Sequence, residues 1–126
     1  MRYLHLDCLL QSDSKAKIFR GLVDTGFDGE LLINSKTAEA LRLVPDKNKV
    51  SKTILGDGKS VLTRIANLKF SIPKLNENLV IELTTIILPR EIDCIIGTSL
   101  LETLCRSTGQ NIILNYKNNC IEFSPF

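Results

Sequence analysis

Histidine is nearly absent from this chain, with His5 the one residue of its kind among 126. A histidine-based catalytic triad would have to use that residue, and His5 alternates with Leu4 and Leu6 as on the outer face of a strand. Cysteine is sparse and scattered: Cys8, Cys94, Cys105 and Cys120 lie far apart and lack the spacing of metal ligands. Each sits among apolar residues, so buried free thiols are expected rather than disulfides. Nothing in the pattern asks for a metal or a cofactor. A charge excess is also missing. With 16 basic and 14 acidic residues the net charge is +2, too balanced to imply nucleic acid or an anionic membrane as partner. The densest basic stretch, Lys47, Lys49 and Lys52, reads as a solvated loop.

Long apolar runs are missing as well. The first residues hold no apolar core of signal-peptide length, and the run from Leu79 to Leu88 is broken by Glu82 and threonines, so it cannot span a bilayer. The chain therefore reads as cytoplasmic. There is no linker and no low-complexity segment. At 44% apolar and 24% charged residues, residues 1–126 read as a single globular domain, long enough for one modest core and too short for two lobes.

What is present is a succession of short strands. Residues 3–10 alternate, with Leu4, Leu6, Cys8 and Leu10 facing one way. After the polar turn at 11–15, a strand runs from Ala16 to Val23, and a short one covers 30–33. Ser35 to Leu43 reads as a helix capped by Asn34 or Ser35, with Ala38 and Leu41 inward and Pro45-Asp46 ending it. Strands are expected at 50–55, 60–72, 79–88, 111–116 and 120–123. Gly56-Asp57-Gly58-Lys59 is a hairpin turn between two of them. Ser99 with Glu102 fits a capping box that opens a helix through about Cys105. The sum is a mostly β domain, a closed barrel or sandwich with two short helices.

The stretch with chemistry in it is Leu22-Val23-Asp24-Thr25-Gly26, followed by Phe27-Asp28-Gly29. An apolar strand ends here on a carboxylate, then a small hydroxyl residue, then a glycine. A partly dry carboxylate is costly unless it is hydrogen-bonded or paired. Two carboxylates that share one proton solve that problem and supply a general base and a general acid in one site. The ionised one takes a proton from water while the protonated one gives a proton to a carbonyl oxygen, which is amide hydrolysis without metal, serine or cysteine. The motif occurs once, so if it does such chemistry its carboxylate partner is expected from a second copy of the chain. A weak internal echo lies at Cys94-Ile95-Ile96-Gly97, again an apolar run into a glycine and a helix.

In this order and spacing, Val23-Asp24-Thr25-Gly26 with Asp28, the hairpin around Gly56-Asp57-Gly58, and Asp93-Cys94-Ile95-Ile96-Gly97-Thr98-Ser99-Leu100-Leu101 resemble the retropepsin-like aspartic proteases, in particular their short single-domain bacterial and archaeal members. The resemblance covers residues 16–105. It implies an all-β fold with its active site on a homodimer axis, and a peptide or protein as substrate. By the same resemblance Asp24 is the catalytic residue, one from each subunit. Thr25 makes hydrogen bonds between the subunits under the dyad. Gly26, Phe27 and Asp28 line the substrate site, and residues 50–66, with Gly56, Asp57 and Gly58, form a flap over the peptide. Ile95, Ile96 and Gly97 pack behind the catalytic loop. Two positions depart from the family pattern: Phe27 replaces a small residue and narrows the first substrate pocket, and Gly29 stands where many viral members carry a second acid. The implied function is that of a homodimeric aspartic endopeptidase. The alternative is a non-catalytic dimerisation or peptide-binding module on the same fold.

Overall fold

A computed structural model describes residues 4–54, 57–76, 78–89 and 91–126. Its elements are strands β1 (Leu4–Gln11), β2 (Ala16–Val23) and β3 (Leu31–Asn34), helix α1 (Ser35–Ala40), strands β4 (Val50–Ile54), β5 (Ser60–Ser71), β6 (Ile81–Leu88) and β7 (Cys94–Ile96), helix α2 (Thr98–Thr108), and strands β8 (Gln110–Asn115) and β9 (Cys120–Pro125). The larger sheet has the order β1-β2-β7-β3-β6-β5-β4, and β1 also pairs with β5. The pairs Leu9 with Ser71 and Leu10 with Phe70 close the ring, so that all of these strands except β4 form a closed barrel. Closure removes the free edges that an open sheet would leave.

The alternation seen in the sequence is the alternation of the barrel wall. Along β1, Leu4, Cys8 and Leu10 are buried while His5 and Asp7 are exposed, and along β5 Ala66, Leu68 and Phe70 are buried between exposed Asn67 and Lys69. All four residues of β3 are buried. This strand lies between β7 and β6, and both of its faces are covered, as in sheets packed on two sides. Helix α2 turns Leu100 and Leu104, one turn apart, into the same core.

Strand β4 pairs with β5 from Val50–Arg64 to Ile54–Ser60, whereas β5 pairs with β6 only from Arg64 to Phe70. Beyond Arg64 the hairpin therefore stands off the barrel as a two-stranded arm. Thr63, buried, donates its hydroxyl to the Ser51 carbonyl at 3.0 Å across the arm, while Val50, Ile54 and Leu62 expose their side chains. Leu55 and Gly56, in the expected hairpin turn, lie outside the described residues, as does Tyr3 at the expected start of β1.

Three sequence expectations need correction. Helix α1 ends at Ala40, before Pro45. Arg42 takes a left-handed conformation (φ 53°), and the N–H groups of Arg42 and Leu43 donate to the Glu39 and Ala38 carbonyls. This is a Schellman stop with arginine where glycine is usual, so no sequence signal marked it. The capping box at Ser99 and Glu102 does not form. Gly97 is the N-cap of α2 and offers no side chain, Ser99 is already inside the helix, Glu102 pairs with Arg106 instead, and the helix runs on to Thr108. Of the four free cysteines, Cys8 and Cys94 are buried as expected, but Cys105 and Cys120 are half-buried.

Candidate active site

Strand β7 lies between β2 and β3, parallel to β2 (Leu22 with Ile95, Val23 with Ile96) and antiparallel to β3 (Leu31 with Ile96, Leu32 with Ile95). The chain from β2 to β3, residues 24–30, must therefore cross the end of β7. That crossing carries Asp24. The two apolar segments that echo each other in the sequence turn out to be parallel neighbours.

The crossing loop is fastened from end to end. The Asp24 N–H extends the β2–β7 ladder by donating to the Ile96 carbonyl at 3.0 Å, and the Phe27 N–H donates to the Asp24 carbonyl at 3.1 Å, closing a tight turn. On the far side, the Gly97 N–H donates to the Glu30 carbonyl at 3.0 Å. The Phe27 carbonyl accepts twice from Thr98, from its N–H at 2.9 Å and from its hydroxyl at 3.3 Å. A loop so pinned holds a side chain in one place.

Asp24 is half-buried, and its Oδ1 accepts the Gly26 N–H at 2.9 Å. Thr25, Gly26 and Asp28 are exposed. Among the described residues no second carboxylate hydrogen-bonds to Asp24. One chain supplies one carboxylate with one backbone donor, on an accessible loop.

Phe27 is half-buried, and its ring lies over Gly29 and Gly97. A Cβ on Gly29 would come within 2.5 Å of the ring's Cζ, and one on Gly97 within 2.7 Å of Cδ2 and 2.1 Å of the Gly29 carbonyl oxygen. Phe27 and Gly29 are thus one feature, because a ring at 27 needs an empty position 29. Sequence reasoning placed Gly97 behind the loop but missed Thr98, whose position at the start of α2 carries no local signal, and missed the pairing of Phe27 with Gly29.

Asp57 and Gly58 sit on the arm and not on the crossing loop. Asp57 Oδ1 accepts the Lys59 N–H at 3.0 Å and Gly58 has φ 84°, a left-handed turn that suits glycine. Gly56 lies outside the described residues. His5 is exposed on β1, with the Arg20 guanidinium 3.3 Å from its Nδ1. Burial and the Arg20 charge lower its pKa, and it takes no part in the loop. A cleft of 620 Å³ runs between the β1–β2 turn, the end of α1 and strands β5 and β6, and it shares no residue with the Asp24 loop. No helix among the described residues is long and apolar enough to cross a membrane, and no group of three or more histidine, cysteine or acidic residues among them is placed to hold a metal ion.

The architecture is that of a known class. The EIAV protease, solved in complex with an inhibitor, matches with a TM-score of 0.60 at 16% identity, over 82% of this chain and 88% of that one. A retropepsin-like aspartic protease from Rickettsia conorii matches with a TM-score of 0.54 at 12% identity, over 98% of both chains. The chain has the retropepsin-like fold. No protein-family model and no curated protein matches its sequence.

Proposed function

We propose that the chain is a homodimeric aspartic endopeptidase, with residues 1–126 as one protease domain per subunit and one Asp24 from each subunit in the catalytic dyad. The observation that carries this reading is the Asp24 loop itself. A half-buried carboxylate rests on the Gly26 N–H, on a loop tied down at Ile96, Glu30 and Thr98, with Thr25 and Gly26 open to a second molecule.

Two such loops meeting across a two-fold axis bring two carboxylates together, and like charges that close do not both ionise. The ionised one takes a proton from a water molecule as that water attacks the peptide carbonyl carbon. The protonated one gives its proton to the carbonyl oxygen. Collapse of the tetrahedral species passes a proton to the leaving amine. Thr25 bridges the loops below the dyad, and Gly26 and Asp28 meet the substrate backbone. The arm of β4 and β5, with Asp57 and Gly58 in its turn, covers the bound peptide. No metal or cofactor enters the scheme.

The dimer has a further support. Strands β8 and β9 pair only with each other among the described residues. An isolated two-stranded sheet is marginal in water and leaves two free edges. A second copy can add to those edges in an isologous contact.

Sedimentation of the purified protein, together with cleavage of a denatured protein across the acidic range, tests the reading. The expected result is a dimer whose cleavage is blocked by a transition-state peptide inhibitor. A monomer at every concentration, with and without that inhibitor, would overturn it. A dimer that binds peptide and cleaves nothing would make the chain a binding module.

A further inference from the structure

The barrel wall has a second apolar patch on the face turned away from its core. Leu22 of β2, Ile95 of β7, Leu32 of β3 and Leu88 of β6 are each 4 or 5% exposed and pack together. Leu22, Ile95 and Leu32 are direct neighbours across three strands, and Ile86 lies beside Leu32. Residues two apart on an extended chain share a face, so Leu22 points the way Asp24 points, and the patch adjoins the carboxylate. Among the described residues, Phe27 is a hydrophobic residue outside the strands that packs against it.

Phe27 is held there by its surroundings. Its backbone is fixed by the Asp24 carbonyl on one side and by Thr98 on the other. Its ring occupies the space left free by the missing side chains of Gly29 and Gly97. An apolar floor next to a reactive carboxylate is where a substrate side chain would seat, and here the protein fills it with a side chain of its own.

We infer that the Phe27 ring is a built-in lid on the apolar floor of Leu22, Leu32, Leu88 and Ile95, and that it restricts the residue beside the cleaved bond to small side chains such as glycine, alanine or serine. The inference rests on the peptidase reading for its substrate, but not for the lid. Phe27 lines the substrate site, so its effect is read in the ratio between substrates and not in the rate on any one of them. Its removal changes which side chain fits, through KM and the ratio of kcat/KM values, and leaves the water-activating carboxylates in place.

The test compares wild type, Phe27→Ala and Phe27→Leu on peptides that differ only in alanine, leucine or phenylalanine beside the cleaved bond. Wild type is expected to prefer alanine. Phe27→Ala is expected to shift the kcat/KM ratio toward phenylalanine by at least about tenfold, the scale of discrimination by a fitted apolar pocket. Phe27→Leu, which keeps most of the bulk and guards against a variant that fails to fold, should fall between. Equal preferences in all three proteins, or a wild type that favours phenylalanine, would overturn the inference. A second readout needs no cleavage: benzene should raise the Tm of Phe27→Ala and not of wild type, because a vacated apolar site takes up an apolar guest. No benzene effect means that the ring covers no pocket, and the lid is refuted. If benzene stabilises the variant but none of the proteins cleaves anything, the lid stands, while the peptidase reading fails and the selectivity claim falls with it.

Discussion

The ring of Phe27 occupies the place of a side chain at Gly29: a Cβ added there would lie 2.5 Å from Cζ and 2.7 Å from Cε1. These two positions have to be read together. Gly29→Ala alone forces the ring off its seat, and overpacking of this kind costs about 1–3 kcal/mol. With Phe27→Ala already in place the obstruction is gone. The cost of Gly29→Ala should then fall by about 1 kcal/mol or more, within the range of coupling energies between touching residues. Urea unfolding of the four proteins of this cycle measures it, and additive effects would show that the ring has another seat.

Gly97 should behave differently. A Cβ there meets the Gly29 carbonyl oxygen at 2.1 Å and the Phe27 carbonyl oxygen at 2.8 Å as well as the ring. Two of these obstacles are backbone, and the loop that bears them is hydrogen-bonded to Gly97 and Thr98. Gly97→Ala should cost at least the upper end of the about 1–3 kcal/mol expected of overpacking, and Phe27→Ala should not rescue it. It should also lower any turnover, since the displaced loop carries Asp24. A variant with wild-type stability would refute the close packing of the loop on β7.

The cysteines give a chemical test of the fold. Cys8 on β1 and Cys94 on β7 are both fully buried, with their sulfurs 3.6 Å apart. The hydrogen bond with Cys94, then burial, pushes the Cys8 thiol well above the ordinary range, and an un-ionised, buried thiol is a poor nucleophile. An alkylating reagent at neutral pH should label the half-buried Cys105 and Cys120 first and leave Cys8 unmodified until the barrel opens. The order is read by mass spectrometry of digests taken over time. Early labelling of Cys8 in folded protein would contradict its place in the core.

The elements were largely legible in the sequence because they rest on local patterns. The alternation of Leu4, Cys8 and Leu10, the turn at Ser12–Lys15 and the end of β2 just before Asp24 all follow from period-two burial and turn chemistry. Where reading failed, the deciding interaction was either non-local or used an unusual residue. Arg42 in a left-handed conformation stops α1 without glycine, and Gly97 replaces the expected cap of α2 because its backbone is needed against the loop. The insertion of β7 between β2 and β3 could not be read either, since it depends on pairings between distant segments. The turn that bears Asp24, Thr25 and Gly26 was legible as a break after an apolar strand. What holds it, Thr98 and the Phe27–Gly29 pair, appears only when those segments meet.

The peptidase reading turns on Asp24. Asparagine keeps the shape of the side chain and a carbonyl oxygen to accept the Gly26 N–H, now 2.9 Å from Oδ1. The loop is otherwise held by backbone bonds to Ile96, Glu30 and Thr98 that the substitution does not touch. Asp24→Asn should therefore fold and sediment as wild type does. Asparagine cannot ionise, so the general base is lost, and the rate should fall by at least the about 10²–10⁴ that a positioned acid–base group contributes. Stability should hold or rise, because two carboxylates brought together repel when both are charged. The measurement needs purified wild type and variant, a denatured protein as substrate, and sizing of both. A variant that cleaves at the wild-type rate would show that Asp24 is not the catalytic group. A variant that loses its dimer along with its activity would assign the carboxylate to assembly instead.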